Sequence, residues 1–161
     1  MQKMMKENDF IVSKTDLKGR ITYGNEIFIK MSGYSEQELL GAPHNILRHE
    51  DMPAIVFKLL WDRLKAKSFI NAYVKNRCKN GDFYWVFANV TASFDQRGNI
   101  VGYYSVRRKP KDEAVAIVDT LYASLLQVEK KGGVAASEKL LNDVLKEKGV
   151  SYDELIISLQ K

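Results

Sequence analysis

One cysteine and three prolines are all that 161 residues contain, and histidine occurs only twice. The lone thiol, Cys78, excludes a disulfide within the chain and fits a reducing compartment, so the expected location is the cytoplasm. His44 and His49 stand five residues apart without a cysteine pair, which is not the spacing of a helical zinc site. No stretch approaches the ~18 uninterrupted apolar residues of a membrane span. Met1 to Phe10 mixes Lys3, Lys6, Glu7 and Asp9 with its methionines and lacks the apolar core of a signal peptide. A glycine-rich phosphate loop is missing, because Gly24-Asn25 and Asn80-Gly81 read as turns. Cys78, flanked by Arg77 and Lys79, has no histidine near it in sequence to act as a base. Nothing in this inventory points to an enzyme.

What is present is an ordinary globular composition, 45% hydrophobic and 28% charged. The length suits one domain of roughly 100–150 residues with a small appendage. Charge divides the chain: residues 1–109 hold 18 basic and 11 acidic side chains, whereas residues 110–161 hold 7 and 9. The basic part carries no cationic helix stripe and no cations interleaved with aromatics, which argues against nucleic acid. Its densest cluster, Arg107-Arg108-Lys109, lies at an element boundary where long cations commonly face water.

The first three-quarters alternates like β structure with short helices inserted. Phe10 to Thr15 and Arg20 to Tyr23 flank the turn Asp16 to Gly19 and read as a hairpin. Ile27, Phe28 and Met31 then follow helical spacing until Gly33, and Ser35 with Glu38 forms a capping box. A helix over about 53–65 places Ile55, Val56, Leu59, Leu60 and Leu64 on one face. Strands are expected over 69–79, 82–94 and 100–107, the first two joined by Asn80-Gly81. Beyond Pro110, apolar spacings of three and four predict helices over about 112–130 and 134–148, stopped between them by Gly132-Gly133. A second capping box, Ser151 with Glu154, opens a last short helix.

Pro43 to Met52 (PHNILRHEDM) is the segment with the most chemistry. It sets Arg48, His49 and Asp51 within four residues on irregular backbone leading into a helix. Such a segment offers a cation, an imidazole and a carboxylate to a polar ligand; equally, Asp51 could simply cap the helix while Arg48 and His49 face water.

These elements and motifs resemble a PAS domain of the flavin-binding, aerotaxis-receptor type. The resemblance runs over roughly residues 9–125. It is carried by Ser13 to Leu17, Arg20 to Tyr23 with Asn25, Ser32-Gly33-Tyr34, Pro43-His44-Asn45, Arg48-His49 with Asp51-Met52-Pro53, Val74 to Arg77, Lys79 to Asp82 and Tyr84-Trp85-Val86. It implies an α+β fold, a five-stranded antiparallel sheet with short helices enclosing a ligand cleft. The expected division is a lead over 1–9, a sensor domain over 10–109 and a helical extension over 110–161.

The resemblance further implies non-covalently bound FAD whose redox state reports electron flow. By matching position, Arg48, His49 and Asp51 would contact or support the nucleotide, Asn76 would hydrogen-bond from the sheet, and Asn25 and Trp85 would lie at the pocket. One departure stands out: Ile70 occupies the place where flavin-binding relatives usually carry a tryptophan, for which Phe69 or Tyr73 would have to compensate. That leaves haem, bound through His49 or His44, as the alternative cofactor. Short PAS-only chains of this kind resemble one half of two-protein energy-taxis systems. The implied partner is a membrane-bound chemotaxis transducer or a second copy of the chain, met through the helical tail. The alternatives are a ligand-free dimerisation module of a larger signalling protein and a catalytic flavoprotein.

Overall fold

Alternation of side chains along the strands and helical spacing in the tail build two faces that both need cover. The computed structural model describes residues 1–161. The elements are β1 (Phe10–Thr15), β2 (Ile21–Gly24), α1 (Glu26–Ser32), α2 (Glu36–Leu39), a 3-10 turn (His44–Leu47), α3 (Ala54–Lys65), β3 (Ile70–Arg77), β4 (Phe83–Phe94), β5 (Ile100–Arg108), α4 (Asp112–Lys148) and α5 (Tyr152–Gln160). The five strands form one sheet in the order β2-β1-β5-β4-β3, every pair antiparallel. No helix is long and apolar enough to cross a membrane.

Local chemistry closes the turns as expected. Asp16 Oδ1 accepts from the amides of Lys18 and Arg20, and Asn80 Oδ1 accepts from the Asp82 amide. Both capping boxes form, Ser35 with Glu38 and Ser151 with Glu154. The predicted break at Gly132-Gly133 is there too: Gly133 takes φ 69° and ψ −164°, which a side chain would resist, and divides α4 into two arms.

β4 shows how the layers stack. Tyr84 to Ala88 are buried without interruption, the pattern of a strand covered on both faces rather than one. On the inner face Ile11, Tyr84, Val86 and Ala88 join Phe28, Met31 and Leu47 from the helices and turn. On the outer face Tyr73, Trp85 and Phe87 join Ala114, Val118, Tyr122 and Leu125 of α4, with Leu141, Leu145 and Ile156 further along. The tail therefore spends its apolar stripes on the sheet of its own chain. The Tyr122 hydroxyl donates to the Tyr73 carbonyl at 2.7 Å, and the Tyr152 hydroxyl to the Asn71 carbonyl at 2.7 Å.

β5 crosses the end of β1 so closely that Gly102 has no room for a side chain: an added Cβ would lie 2.3 Å from the Thr15 carbonyl oxygen. The neighbour is backbone and cannot swing aside. Gly102→Ala is expected to destabilise by about 2 kcal/mol, read from urea unfolding, while Val101→Ala at an exposed position next to it stays within about 0.5 kcal/mol.

Candidate ligand site

Between the inner face of the sheet and α3 lies a cavity of about 300 Å³, within the range of roughly 300–1,000 Å³ typical of small-molecule sites. The sheet supplies Ser13, Val74, Asn76, Ala88 and Arg107 to it; α3 supplies Phe57, Leu60, Trp61 and Leu64; His44 and Arg48 come from the segment between. The aromatic wall is made by Phe57 and by Trp61, which meets Tyr103 edge-on at 5.1 Å. At Asn45 and Arg48 the cavity adjoins an open polar groove that also includes His49, Glu50 and Met52.

The inner polar groups form a short chain of hydrogen bonds. Arg107 Nη2 donates to Ser13 Oγ at 2.6 Å, and Ser13 Oγ lies 3.1 Å from His44 Nε2. A guanidinium can only donate, so the serine oxygen accepts from it, and Ser13 and His44 Nε2 share the second hydrogen bond. His44 is neutral in this setting. Burial, reinforced by the Arg107 guanidinium, pushes its pKa down to about 3. The imidazole also stacks on Phe28, ring centres 5.9 Å apart and planes 11° from parallel. Three buried polar atoms have no partner: Asn76 Nδ2, Tyr84 OH and Arg107 Nε.

The expected site residues scatter over this architecture. Arg48 and Asn76 line the cavity. Arg48 lies over the Phe57 ring at 4.0 Å and forms no ion pair, while its backbone bridges Asn76. Asn25 lies elsewhere: its Oδ1 accepts from the Phe28 and Val12 amides and its Nδ2 donates to the Phe10 carbonyl, so the side chain ties α1 to β1. Trp85 is on the outer face, 6.0 Å from Tyr122, because an odd-numbered residue of β4 points away from the cavity that Ala88 faces.

Asp51 neither caps α3 nor reaches the cavity. Its Oδ2 accepts from Lys75 Nζ at 2.7 Å, which holds the carboxyl below the usual range. His49 sits on the groove rim, its Nδ1 accepting from the Asp51 amide and its ring edge-on to Phe83. Burial, then Lys75, lowers its pKa. Of the two histidines, His44 is the one in the cavity.

The compensation sought for Ile70 does not come from its neighbours. Phe69 is 52% exposed, and Tyr73 points outward, its hydroxyl donating to Gln160 Oε1 at 3.1 Å. Cys78 lies just past β3, its thiol buried against the Met31 carbonyl and its pKa raised by that burial.

Sequence inspection missed Arg107. The cluster Arg107-Arg108-Lys109 does not face water as a unit: strand parity sends Arg107 inward to 3% exposure and leaves Arg108 exposed, over the Phe87 ring at 5.2 Å. The missed signal was the period of two through Tyr103, Ser105 and Arg107, all of which line the cavity.

A sheet of this order with helices enclosing an inner cavity defines a sensor-domain architecture, and the family model described as "PAS fold" matches residues 21–107. The chain belongs to the PAS-fold family. It is 46% identical over 71% of its length to the aerotaxis receptor of Escherichia coli K12, covering 22% of that protein. It is 25% identical over 65% of its length to a nitrogen fixation regulatory protein of Klebsiella pneumoniae, covering 21% of that one. The chain thus spans about a fifth of the length of these curated relatives. Among solved structures, a light-oxygen-voltage domain studied with a flavin analogue superposes with a TM-score of 0.62 at 21% identity, over 67% of this chain and 82% of that one. The dark structure of the aureochrome 1 LOV domain gives 0.59 at 23% identity, over 74% and 86%.

Proposed function

We propose that this chain is a cytoplasmic redox-sensing PAS module that binds FAD non-covalently in the inner cavity. It signals without catalysis, by protein contact, to a membrane-bound chemotaxis transducer. The observation carrying this reading is the pairing of an aromatic-walled cavity holding unpartnered buried donors with a groove where Arg48 has no counter-charge. A planar ring with carbonyl acceptors suits the former, and a diphosphate suits the latter. The similarity to an aerotaxis receptor supports both the redox input and the signalling output.

FAD, when bound, supplies reversible uptake of electrons. The chain's own residues do the rest. Asn76 and Arg107 orient the ring, Phe57 and Trp61 exclude water from it, and Arg48 holds the phosphates. α3 carries four of the cavity-lining residues and touches α4, so a change in the cavity reaches the tail through it.

The test is an absorption spectrum of freshly purified protein, followed by identification of any flavin released on heating. Flavin bands with FAD in the supernatant are the expected result. A sharp Soret band would transfer the site to haem with His44 as ligand. A colourless protein that takes up neither cofactor would leave a ligand-free dimerisation module. If FAD is present, Arg48→Ala should weaken it about tenfold and leave riboflavin, which has no phosphate, unaffected. Equal losses for both would remove Arg48 from the phosphate site.

A further inference from the structure

Arg107 is a cation without a counter-ion. Its side chain is 3% exposed, and its Nε has no partner. Its surroundings are Ser13 Oγ, the face of the Phe28 ring at 4.8 Å and the neutral His44. No carboxylate lines the cavity. Tyr84, the nearest acidic group, cannot supply the charge, because burial pushes its hydroxyl up to about 12. Lys18 and Arg48 also line the cavity, but both are exposed at its rim, where water screens them. An unpaired guanidinium in the interior is costly, and removing a partner from a buried pair is among the most destabilising changes a protein meets. The ligand-free fold therefore carries a buried charge for which the protein supplies no counter-ion.

We propose that Arg107 makes this cavity hold reduced flavin more tightly than oxidised flavin. This deepens the flavin reading above and rests on it. The oxidised ring is neutral and offers carbonyl acceptors to the orphaned donors. On reduction the ring takes two electrons from an external donor, dithionite in the experiment below, and one proton at N5. At neutral pH it takes no second proton, so it leaves with one negative charge. Both redox states accept hydrogen bonds from Asn76 and Arg107, and only the reduced one also gains the buried ion pair. A difference in affinity between the two states is a shift in potential.

The test uses the full chain loaded with FAD and titrated with dithionite against reference dyes, in the wild type, Arg107→Gln and Arg107→Lys. Arg107→Gln is expected to lower the midpoint potential by at least ~30 mV, a tenfold loss of preference for the reduced form in a two-electron couple. Arg107→Lys should keep most of it. A second measurement needs no flavin: ligand-free Arg107→Gln should resist urea better than the ligand-free wild type, since it removes an uncompensated charge and keeps a donor for Ser13. A potential unchanged in Arg107→Gln, or a ligand-free variant less stable than wild type, overturns the proposal. Should Arg107→Gln fail to retain FAD, the Lys variant and the ligand-free comparison decide it. A wild type that takes up no flavin is a different failure, seen before any variant is titrated, and removes the flavin reading itself.

Discussion

Acidifying the ligand-free protein from pH 6.5 to 4.5 is expected to cost it roughly 2 kcal/mol of stability, through His44 above all. In the unfolded chain this histidine titrates near 6.5, and in the fold it titrates at about 3. Between those values the unfolded chain binds a proton that the native state refuses, so stability rises with pH across the window and falls as acid is added. The slope is about 0.7 kcal/mol per pH unit at pH 6.5, where the unfolded histidine is half protonated, and approaches about 1.4 below pH 5.5. His49 is shifted in the same direction but is less deeply buried, so its share is smaller. The lowered carboxyls of Asp16 and Asp51 stabilise above their ordinary value of 3.8 and lose that contribution mostly below the window, whereas Glu38, ordinarily at 4.5, begins to lose its share at the acid edge and adds to the slope there. Urea unfolding at several pH values should show the slope, and His44→Gln, which keeps a hydrogen-bonding partner for Ser13, should flatten it. An equal slope in His44→Gln would mean that the histidine is reached by protons in the fold. His49→Gln should leave most of the slope in place.

The second large effect concerns Glu129. The first turn of α3 has no side-chain cap of its own, since Pro53 stands at the N-cap position. Instead Glu129, from the first arm of α4, accepts from the Ala54 amide at 2.9 Å and the Ile55 amide at 3.1 Å. Ser137, on the second arm beyond the Gly133 break, donates to the same carboxylate at 2.6 Å. One carboxylate thus satisfies free donors at a positive helix end and joins both arms of the tail to the helix that walls the cavity. Glu129→Ala is expected to destabilise by about 2 kcal/mol, and Glu129→Gln, which keeps one acceptor without the charge, by roughly half of that. Lys58→Ala, which removes exposed ion pairs to Asp62 and Glu138 beside it, should change stability by less than about 1 kcal/mol. Hydrogen exchange gives the local readout: the Ala54 and Ile55 amides should lose protection in Glu129→Ala. Unchanged protection there would show that α3 does not depend on the tail for its start.

The same capping residue marks the boundary of what sequence inspection reaches. Turns closed by Asp16 and Asn80, the two Ser–Glu capping boxes and the Gly133 break involve residues no more than four apart, so their chemistry is complete within a few residues of chain. Glu129 acts on amides 74 and 75 residues away, and nothing near Glu129 in sequence announces that. Asp51 stands where a helix cap would be expected and is taken by Lys75 instead. For the same reason Asn25, which motif position puts at the ligand, is consumed by three backbone contacts between α1 and β1.

Strand count, helix placement and family were determined by the sequence itself, because periodicity and turn chemistry are local and the motif runs are dense. Which face each residue serves was decided by tertiary structure. Alternation along β4 and β5 separates Trp85 from Ala88 and Arg107 from Arg108, yet it does not say which set meets the cavity until α3 covers one face and α4 with α5 the other. Packing partners far away in the chain make that choice, and they turned a cation that reads as surface into the buried charge at the centre of the site.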